Sequence, residues 1–572
     1  MSVRFKSRPE MPITVPICVA MANRILHDLN FRERINSLVD WDPKQCELSP
    51  GELASALILA TSAPVRPPLY KVGEWYDSQN IDVSALFGSK ATPAGLTDDK
   101  LGRMLDKLAE KDIGNLFIQL AATAVLKYEI VFNRLHADTT SIYFEGDYEI
   151  VDLENSGTRV VKILQGYSKD NRPDCKQIVV GKIVNEHGVP LAFATLDGNT
   201  SDFDWNRDAL DMLTKIQEQG LKQGYYIADS KLMSEELVRR MNEPERKVPF
   251  ISRVPANFGS KLERRMLDKA YSQNAWQDLG QLANGKKACR YECQSFVETV
   301  FDCPAKVLVI RTSAGTERYE DKLARWRDEL QDQITAVAAK TFACQPDAEK
   351  EYDRFLKEMK KNPYQTTATM SSETVVKNPV GRPSAKSPKE AVSRTLYRLQ
   401  ISIGELDEAK SAPLREQSEC FVVITNDLEL ADRDILVYYK EQQVVEIDFK
   451  YLKEESKADT IFVKSPKRIA AFMLLMHIAL LVDALLQYRL RRGRHNWIKP
   501  LPKIGWNGAK MMDNPTTYYL LSMLACVYYV RDSVRDKEQE LVVKEGKELM
   551  TMEILMEMLG WDHDELVSVL YI

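Results

Sequence analysis

The stretch RLHADTTSIYF, residues 134–144, has the composition of a β-strand with one carboxylate near its middle. Ile142, Tyr143 and Phe144 are typical of a pleated, half-buried surface, and threonine suits the same surface. Asp138 does not, because aspartate is depleted from strands and a buried carboxylate is costly unless it is paired or bound to a metal ion. A turn or capping residue is an equal alternative for a single aspartate, so the role of Asp138 depends on whether other acids lie near it.

Residues before this stretch have the hydrophobic period of helices. The segment 48–62 begins with Ser-x-x-Glu, the pattern of a capping box. Apolar residues recur at helical spacing over 96–112 and 114–128. Residues 1–128 therefore predict a compact helical domain.

The period then changes to the alternation that is typical of strands. Helices are predicted at 203–220 and 234–243, between strands. Strand candidates lie at 135–144, 159–166, 176–185, 189–198, 224–230 and 248–254. Strands of antiparallel type followed by alternating helices and strands predict an α/β fold, with a mixed sheet flanked by helices.

The segment 256–418 interrupts this pattern, and the core elements resume after it. The later predictions are a charged helix at 317–340, a turn-rich loop at 378–388, a strand at 419–427, helices at 432–456 and 467–490, and a helical tail over 505–572 that includes 520–530 and 551–561. The chain is therefore predicted to have a core split by an insertion.

The longest apolar run, residues 469–486, contains His477 and Asp483. It is short for a membrane span, so a buried helix is the favoured interpretation. The first residues lack the clean apolar segment of a signal peptide. These features predict a protein without a membrane partner.

Composition is that of an ordinary soluble protein with several domains. The 572 residues carry a net charge of −5, with 44% hydrophobic and 28% charged residues. The nine cysteines form no zinc pattern, since Cys289, Cys293 and Cys303 have no histidine near them. Reduced thiols in a cytoplasmic protein are expected. Because the net charge is negative, any DNA contact must come from local basic patches.

Two further acids are candidates to join Asp138. Asp229 follows the apolar run YYIA, at the end of a predicted strand, where α/β sheets place ligands. The helix predicted at 432–456 has an apolar stripe and, at about 100° per residue, a narrow polar face beside it. A solvated face is the alternative for these polar residues, which are Tyr439, Gln442, Glu446 and Lys453.

Three carboxylates on two strands and a helix suit hard divalent cations. Mg²⁺ prefers oxygen ligands and leaves positions for water and phosphate. Two such ions about 4 Å apart can activate an attacking oxygen and stabilise a leaving one during phosphoryl displacement. The six histidines suggest no Ser-His-Asp or Cys-His arrangement. Metal-dependent chemistry at Asp138, Asp229 and Glu446 is therefore the favoured hypothesis.

Five segments carry a family resemblance: HADTTS (136–141), GYSKDNRPDCKQIVVG (166–181), GNTSD (198–202), YYIADS (225–230) and YYKEQQVVEIDFKYLK (438–453). They resemble the bacterial insertion-sequence transposases of the DDE class, in the IS-four superfamily and its IS-sixteen-thirty-four type. The resemblance extends over residues 45–490 or so, and GYSKDNRPDCKQ is its most specific block.

This resemblance implies an RNase H-like core interrupted by an insertion. Asp138 would lie on its first strand, Asp229 on its fourth, and Glu446 on a helix after the insertion, as catalytic residues and metal ligands. Two Mg²⁺ ions per active site are implied, with Mn²⁺ as a substitute. The implied reaction is hydrolysis at the ends of an insertion sequence, after which the freed 3′-hydroxyls attack target DNA.

The implied partner is double-stranded DNA, both as terminal inverted repeats and as target. Because two ends need two active sites, a homodimer on DNA is expected. The implied domains are a helical DNA-binding domain at 1–128, the first part of the core at 129–255, an insertion at 256–418, the second part of the core with the Glu-bearing helix at 419–500, and a helical region for dimerisation at 501–572.

One position departs from the family pattern. Tyr439, Glu446 and Lys453 match the family's Tyr-Arg-Glu-Lys signature, but Gln442 replaces the arginine. In the family, that arginine and lysine are associated with gripping DNA near the cleaved end. Weaker or altered handling of the ends is expected, because glutamine lacks the fixed charge.

Other candidate DNA contacts are basic and aromatic. The alternatives are a solvated or flexible loop, a helix C-terminus that favours cations, and a packed tryptophan. The candidates for phosphate binding are Lys169, Arg172, Lys176, Arg382, Arg491, Arg492 and Arg494, and those for base stacking are Trp276 and Trp326.

The favoured function is cut-and-paste DNA transposition in the bacterial cytoplasm, at the nucleoid. One alternative is a catalytically silent, transposase-derived protein that binds a specific DNA sequence. Another is a metal-dependent nuclease that does not join strands. The presence of all three acids favours the transposase.

Overall fold

The protein has a mixed α/β fold that forms two compact units. The first comprises Met1–Ser252 and Leu436–Ile572, and the second comprises Arg253–Ile435. The computed structural model describes residues 14–61, 67–88, 90–145, 160–259, 261–284, 287–377, 392–453, 465–498, 515–517, 524, 527–531, 539–542 and 547–570. The division into five domains stays a prediction.

Helices form most of the described chain up to Lys127. After the short strand β1 (Thr14–Pro16) they are α1 (Ile17–Asp28), α2 (Phe31–Leu38), α3 (Pro50–Thr61), α4 (Val72–Ser78), α5 (Val83–Phe87), α6 (Asp98–Ala109) and α7 (Ile113–Lys127). The predicted capping box begins α3, because the Ser49 amide donates to Glu52 Oε2 at 2.6 Å and the Glu52 amide donates to Ser49 Oγ at 3.2 Å. The three helices predicted in this region are confirmed.

A mixed sheet follows. Its elements in chain order are β2 (Arg134–Phe144), β3 (Lys176–Asn185), β4 (Pro190–Leu196), α8 (Asp202–Glu218), β5 (Tyr225–Ala228), α9 (Glu235–Met241) and β6 (Phe250–Arg253). Their strand order is β4-β3-β2-β5-β6. Strands β2, β3 and β4 are antiparallel, whereas β5 runs parallel to β2 and β6 parallel to β5. The predicted mixed sheet with flanking helices is confirmed.

The strand predicted at 159–166 is wrong over its described residues, 160–166. Within them, Leu164 alone pairs, as an isolated bridge with Gln177. The Lys162 amide donates to Asp197 Oδ1 at 2.8 Å, and the Gly198 amide donates to the Lys162 carbonyl at 3.0 Å. The turn before α8 thus satisfies backbone groups that would otherwise need a strand partner.

The second unit contains a sheet, a hairpin and helices. Its elements are α10 (Leu262–Gln273), β7 (Gln277–Asn284), β8 (Lys287–Val300), β9 (Cys303–Thr312), α11 (Ser313–Ala338), α12 (Gln345–Glu358), β10 (Tyr364–Lys377), β11 (Val392–Leu406), α13 (Glu408–Glu419) and β12 (Cys420–Thr425). Strands β12-β9-β8-β7 are neighbours in that order, and β10 and β11 form the hairpin. The helix predicted at 317–340 and the strand at 419–427 are confirmed, whereas the loop at 378–388 lies outside the described residues.

The chain continues with α14 (Asp432–Lys440), α15 (Gln443–Lys453), α16 (Pro466–Asn496), β13 (Tyr528–Arg531), β14 (Gln539–Val542), α17 (Lys547–Leu559) and α18 (His563–Val567). The predicted helical tail is partly wrong, because β13 pairs with β1 and β14 in a three-stranded sheet. The run VYYV at 527–530 favours a strand, since valine and tyrosine suit a pleated surface. The helix predicted at 551–561 is confirmed by α17.

The single helix predicted over 432–456 is also wrong, because the chain breaks between α14 and α15. Glu441 Oε2 pairs with Arg134 Nε of β2 at 2.5 Å. The amides that follow donate three residues back, Val444 to Glu441 and Val445 to Gln442, which is tighter than α-helical spacing. The rotation that placed Tyr439 and Gln442 on the face of Glu446 therefore does not hold.

Helix α16 is a core helix of the first unit. It is long and apolar enough to span a membrane, but 83% of its apolar window is buried inside the protein. His477 Nδ1 donates to the Met473 carbonyl at 2.7 Å, and its ring stacks on Phe193 of β4 with centroids 4.1 Å apart. The predicted buried helix is confirmed.

The two faces of the first unit's sheet carry different helices. Asp138, Lys182 and Phe193 are register partners on β2, β3 and β4, so their side chains share one face. Helix α16 covers this face at Phe193, and α15 covers it through Phe449, whose ring centroid is 5.0 Å from Lys182 Nζ. The face that carries Asp138 is therefore the face on which α15 lies.

Helix α8 covers the opposite face. Gly181 lies opposite Thr139 in the register of β2 and β3. A Cβ at Gly181 would lie 2.2 Å from the ring of Trp205, so α8 approaches the sheet this closely only because the position is glycine.

Candidate active site

Asp138 lies on β2, and Asp229 directly follows the neighbouring strand β5. The last paired residues of the parallel strands β2 and β5 are His136 and Ile227. Asp138 and Asp229 each lie two positions beyond this last β2/β5 pair, and alternation gives each acid the same face as the paired residue before it. The two carboxylates therefore share a face beyond the C-terminal end of β5, near enough for the charge of Asp138 to raise the pKa of Asp229.

The surroundings of both carboxylates oppose ionisation. Burial raises the pKa of Asp138, against the lowering effects of Lys169 and of the Thr139 amide, which donates to Asp138 Oδ1 at 2.7 Å. Burial also raises the pKa of Asp229 to about 6, and the charges of Asp138 and Asp202 act in the same direction. A bound divalent cation would favour the ionised form of both carboxylates.

Glu446 lies on α15, the helix that covers the face of the sheet carrying Asp138. Its residue is exposed, yet partial loss of hydration and the charge of Asp138 raise the pKa of its carboxyl. Phe449, one turn further along α15, is buried beside Lys182, which lies opposite Asp138 in the sheet. This packing holds Glu446 on the side of the sheet that carries Asp138.

The loop GYSKDNRPD, residues 166–174, contacts both β2 and α15. The Lys169 amide donates to Ser141 Oγ of β2 at 3.1 Å. The next residue, Asp170, accepts from Lys453 Nζ of α15 at 2.6 Å. The most specific motif of the sequence thus fixes the strand and the helix that carry two of the three acids.

A fourth carboxylate, Asp202, belongs to this site and was missed by the sequence reasoning. It is the first residue of α8, and its Oδ1 accepts from Thr139 Oγ1 at 2.5 Å. Lys169 Nζ lies 3.5 Å from Asp202 Oδ1 and 3.7 Å from Asp138 Oδ1. The signal in the sequence is the last letter of GNTSD, which resembles an ordinary acid in the first turn of a helix.

The donor set fits Mg²⁺, although the acids do not form a closed cage in this conformation. In the described part of the chain, no group of three or more His, Cys, Asp or Glu side chains is already close enough to hold a metal ion. The donors of the site are nevertheless carboxylate oxygens, the ligands that Mg²⁺ prefers. Their raised pKa values reflect burial and mutual repulsion, and a bound divalent cation would relieve both.

The remaining predicted contacts lie at several places in the fold. Tyr439 is half-buried on α14, and Gln442 lies in the break before α15. Arg172 donates to Glu145 and Asp174 at 3.0 Å, and Lys176 begins β3.

The basic run on α16 makes contacts within the protein. Arg491 Nε donates to the Pro515 carbonyl at 3.1 Å, Arg492 Nη1 donates to the Tyr128 carbonyl at 3.1 Å, and Arg494 lies in the last turn. Both carbonyl groups belong to residues outside α16, so these contacts do not test the alternative of a helix C-terminus that favours cations. The predicted DNA contacts of this run stay predictions, and Arg382 lies outside the described residues.

The two tryptophans proposed for base stacking are half-buried beside cations. Arg311 Cζ lies 4.4 Å from the ring centroid of Trp276, and Lys322 Nζ lies 5.1 Å from that of Trp326. These contacts match the alternative of a packed side chain, and stacking on DNA stays a prediction.

A family model described as a transposase DDE domain matches residues 145–482, more than half of the chain. The chain belongs to the transposase DDE domain family. The match includes Asp229 and Glu446 and begins seven residues after Asp138. DDE transposase domains typically use divalent metal ions, in agreement with the carboxylate donors of the site.

Other comparisons add less. A model of a domain of unknown function, DUF4277, matches residues 18–122. No curated protein matches the sequence. Among solved structures, a piggyBac transposase synaptic complex with hairpin DNA aligns over 94% of this chain and 84% of its own, at 9% identity and a TM-score of 0.34. A likeness this low carries no argument about the fold or the site.

Proposed function

We propose that the protein is a transposase that cleaves the ends of an insertion sequence and joins them to target DNA by divalent-metal-dependent phosphoryl transfer. One observation carries the proposal. In a member of the transposase DDE domain family, Asp138 on β2 and Asp229 just after the parallel neighbour β5 each lie two residues beyond the register pair His136 and Ile227, and the helix of Glu446 covers the face of Asp138. The proposed core is RNase H-like, and the proposed branch is the IS-sixteen-thirty-four type of the IS-four superfamily.

In this proposal, Asp138, Asp229 and Glu446 hold two Mg²⁺ ions. When bound, these ions supply the activation of the attacking oxygen and the stabilisation of the leaving one. The chain orients the acids through the β2 and β5 register and through the loop that contacts both β2 and α15. Burial of the two aspartates keeps the site partly dehydrated, which strengthens their interaction with cations.

The proposed partners are double-stranded terminal repeats and target DNA, bound by a homodimer in the bacterial cytoplasm. Lys169 supports phosphate binding near the acids, because its ammonium lies 3.7 Å from Asp138 Oδ1, whereas Arg172 and Lys176 are proposed phosphate contacts farther from the acids. Two active sites acting on two ends support the dimer.

Purified protein, Mg²⁺ and DNA carrying the inverted repeats that flank the gene test this function. Transposition predicts end cleavage with free 3′-hydroxyls and joined products, and both are abolished by Asp229→Ala. A matched control is Asp211→Ala, which removes an exposed aspartate of α8 that pairs with Arg240; it should leave cleavage intact.

Two results would contradict the proposal. Binding of the repeats without cleavage favours a catalytically silent DNA-binding protein. Cleavage without joined products favours a nuclease.

A further inference from the structure

We propose that the Lys169 ammonium is a tethered cation of the acidic site, which holds the position between Asp138 and Asp202 until a divalent ion displaces it. The inference rests on the proposed function, because it concerns the same carboxylates. It gives Lys169 and Asp202 roles as positioning residues that set how tightly the free protein binds metal.

The ammonium has two close oxygen partners on Thr139 and two carboxylate oxygens within 3.7 Å. Lys169 Nζ lies 2.8 Å from the Thr139 carbonyl oxygen and 2.7 Å from Thr139 Oγ1. Asp202 Oδ1 and Asp138 Oδ1 follow at 3.5 and 3.7 Å. Carboxylate, hydroxyl and backbone carbonyl oxygens are the ligands of hard cations, so a position of this composition suits an ion as well as an ammonium group.

Asp202 is fixed at this position by contacts that do not need the ammonium. The Ser201 side chain caps α8, and the Thr139 hydroxyl donates to Asp202 Oδ1 at 2.5 Å. Thr139 is buried, with 3% of its surface exposed. The carboxylate therefore stays beside Asp138 when Lys169 leaves, and it adds a fourth negative charge to the site.

Lys169 can leave without unfolding its loop. Its side chain is 33% exposed, so a path to solvent is open. The loop itself is held by the Lys169 amide on Ser141 Oγ and by Asp170 on Lys453. A rotation of the side chain alone would free the ammonium for a DNA phosphate, since lysine binds phosphate as a mobile point charge.

Competition for one position has a thermodynamic consequence. As long as the ammonium neutralises Asp138 and Asp202, the free energy of binding a divalent ion at this position is less favourable. DNA that attracts the ammonium should strengthen metal binding, and metal should strengthen DNA binding by the same factor, because linkage is reciprocal.

The test is a titration of the full-length protein with Mn²⁺ in the absence of DNA, with free Mn²⁺ measured by electron paramagnetic resonance. Lys169→Met and Lys169→Gln should each lower the dissociation constant about tenfold, within the range of typical couplings between sites. Lys169→Arg keeps the charge and should not tighten binding. Adding Asp202→Asn to Lys169→Met should remove most of the gain.

Lys176→Met is the charge-matched control. Lys176 comes from the same motif, but it lies opposite Phe144 at the far end of β2 from Asp138. It should leave the Mn²⁺ dissociation constant within about twofold of the wild-type value, because charges separated by more than the Debye length are screened.

Unchanged or weaker Mn²⁺ binding in Lys169→Met and Lys169→Gln would overturn the inference. A merely structural role for Lys169 predicts weaker binding, because damage to a site does not tighten it. If the wild type cleaves end DNA while the two variants bind Mn²⁺ no more tightly, the inference fails and the proposed function stands. If the wild type does not cleave end DNA, the proposed function fails.

Discussion

Replacing Asp229 with asparagine should stabilise the metal-free protein above pH 6. Burial raises the pKa of this carboxyl from its ordinary value of 3.8 to about 6. Above pH 6 this side chain is therefore ionised in the folded protein, and its ionised form lowers the free energy of unfolding. At 1.36 kcal/mol per pKa unit the shift corresponds to about 3 kcal/mol, and partial exposure to solvent reduces the expected gain to about 1–2 kcal/mol.

The gain should depend on pH with a defined sign. Between about pH 4 and pH 6 the folded state binds more protons at Asp229 than the unfolded state does, so the stability that this group contributes falls as pH rises through that window. Asparagine does not titrate. The advantage of Asp229→Asn over the wild type should therefore be about 1 kcal/mol smaller at pH 5 than at pH 8.

Urea unfolding followed by circular dichroism, in EDTA at both pH values, measures the effect. Asp174→Asn is the control of opposite sign, because the hydrogen bond from Arg172 lowers the pKa of Asp174 to about 2. At pH 8 Asp174 is ionised, and its ionised form favours the folded state. Asp174→Asn should therefore not stabilise the protein at pH 8. A loss of stability in Asp229→Asn at pH 8, or a gain that is equal at both pH values, would refute the reasoning.

Three further perturbations test the surrounding structure. A double-mutant cycle on Asp170→Asn and Lys453→Met should give a coupling free energy of about 1 kcal/mol in urea unfolding, since the ion pair is short and only a quarter exposed. A coupling of zero would contradict the contact between the loop and α15. Gly181→Ala should destabilise the protein by about 1–3 kcal/mol, because its methyl group would overlap Trp205, and an unchanged urea midpoint would exclude that close approach. Gln442→Arg should steepen the salt dependence of end-DNA binding by about one unit in a plot of log K against log salt, and an unchanged slope would place residue 442 away from DNA.

The sheet and two of its acids could be predicted because the information is local. Runs rich in β-branched and aromatic residues identify β2 and β3 from their own residues, and an aspartate directly after an apolar strand needs no knowledge of distant contacts. The loop at 166–174 could also be recognised in the sequence, but the residues that it contacts could not. Ser141 and Lys453 could be assigned to Lys169 and Asp170 only after folding.

The errors share one cause, which is contact between residues far apart in the chain. The break between α14 and α15 coincides with the pairing of Glu441 with Arg134, and helical periodicity alone continues through that point. Asp202 resembled a first-turn acid until the fold brought it to Thr139. The tail strand β13 pairs with β1 from the other end of the chain, and no window of local sequence contains both.

Iron-directed cleavage of the polypeptide tests most directly whether Asp138, Asp229 and Glu446 hold one metal site. Fe²⁺ bound in place of Mg²⁺, with ascorbate and peroxide, produces hydroxyl radicals that cut the chain close to the ion. Three cuts are expected, one near each acid, all suppressed by excess Mg²⁺ and lost in Asp229→Asn. Cuts elsewhere in the chain, or cuts near Asp138 and Asp229 with none near Glu446, would contradict the convergence of the three carboxylates on one site.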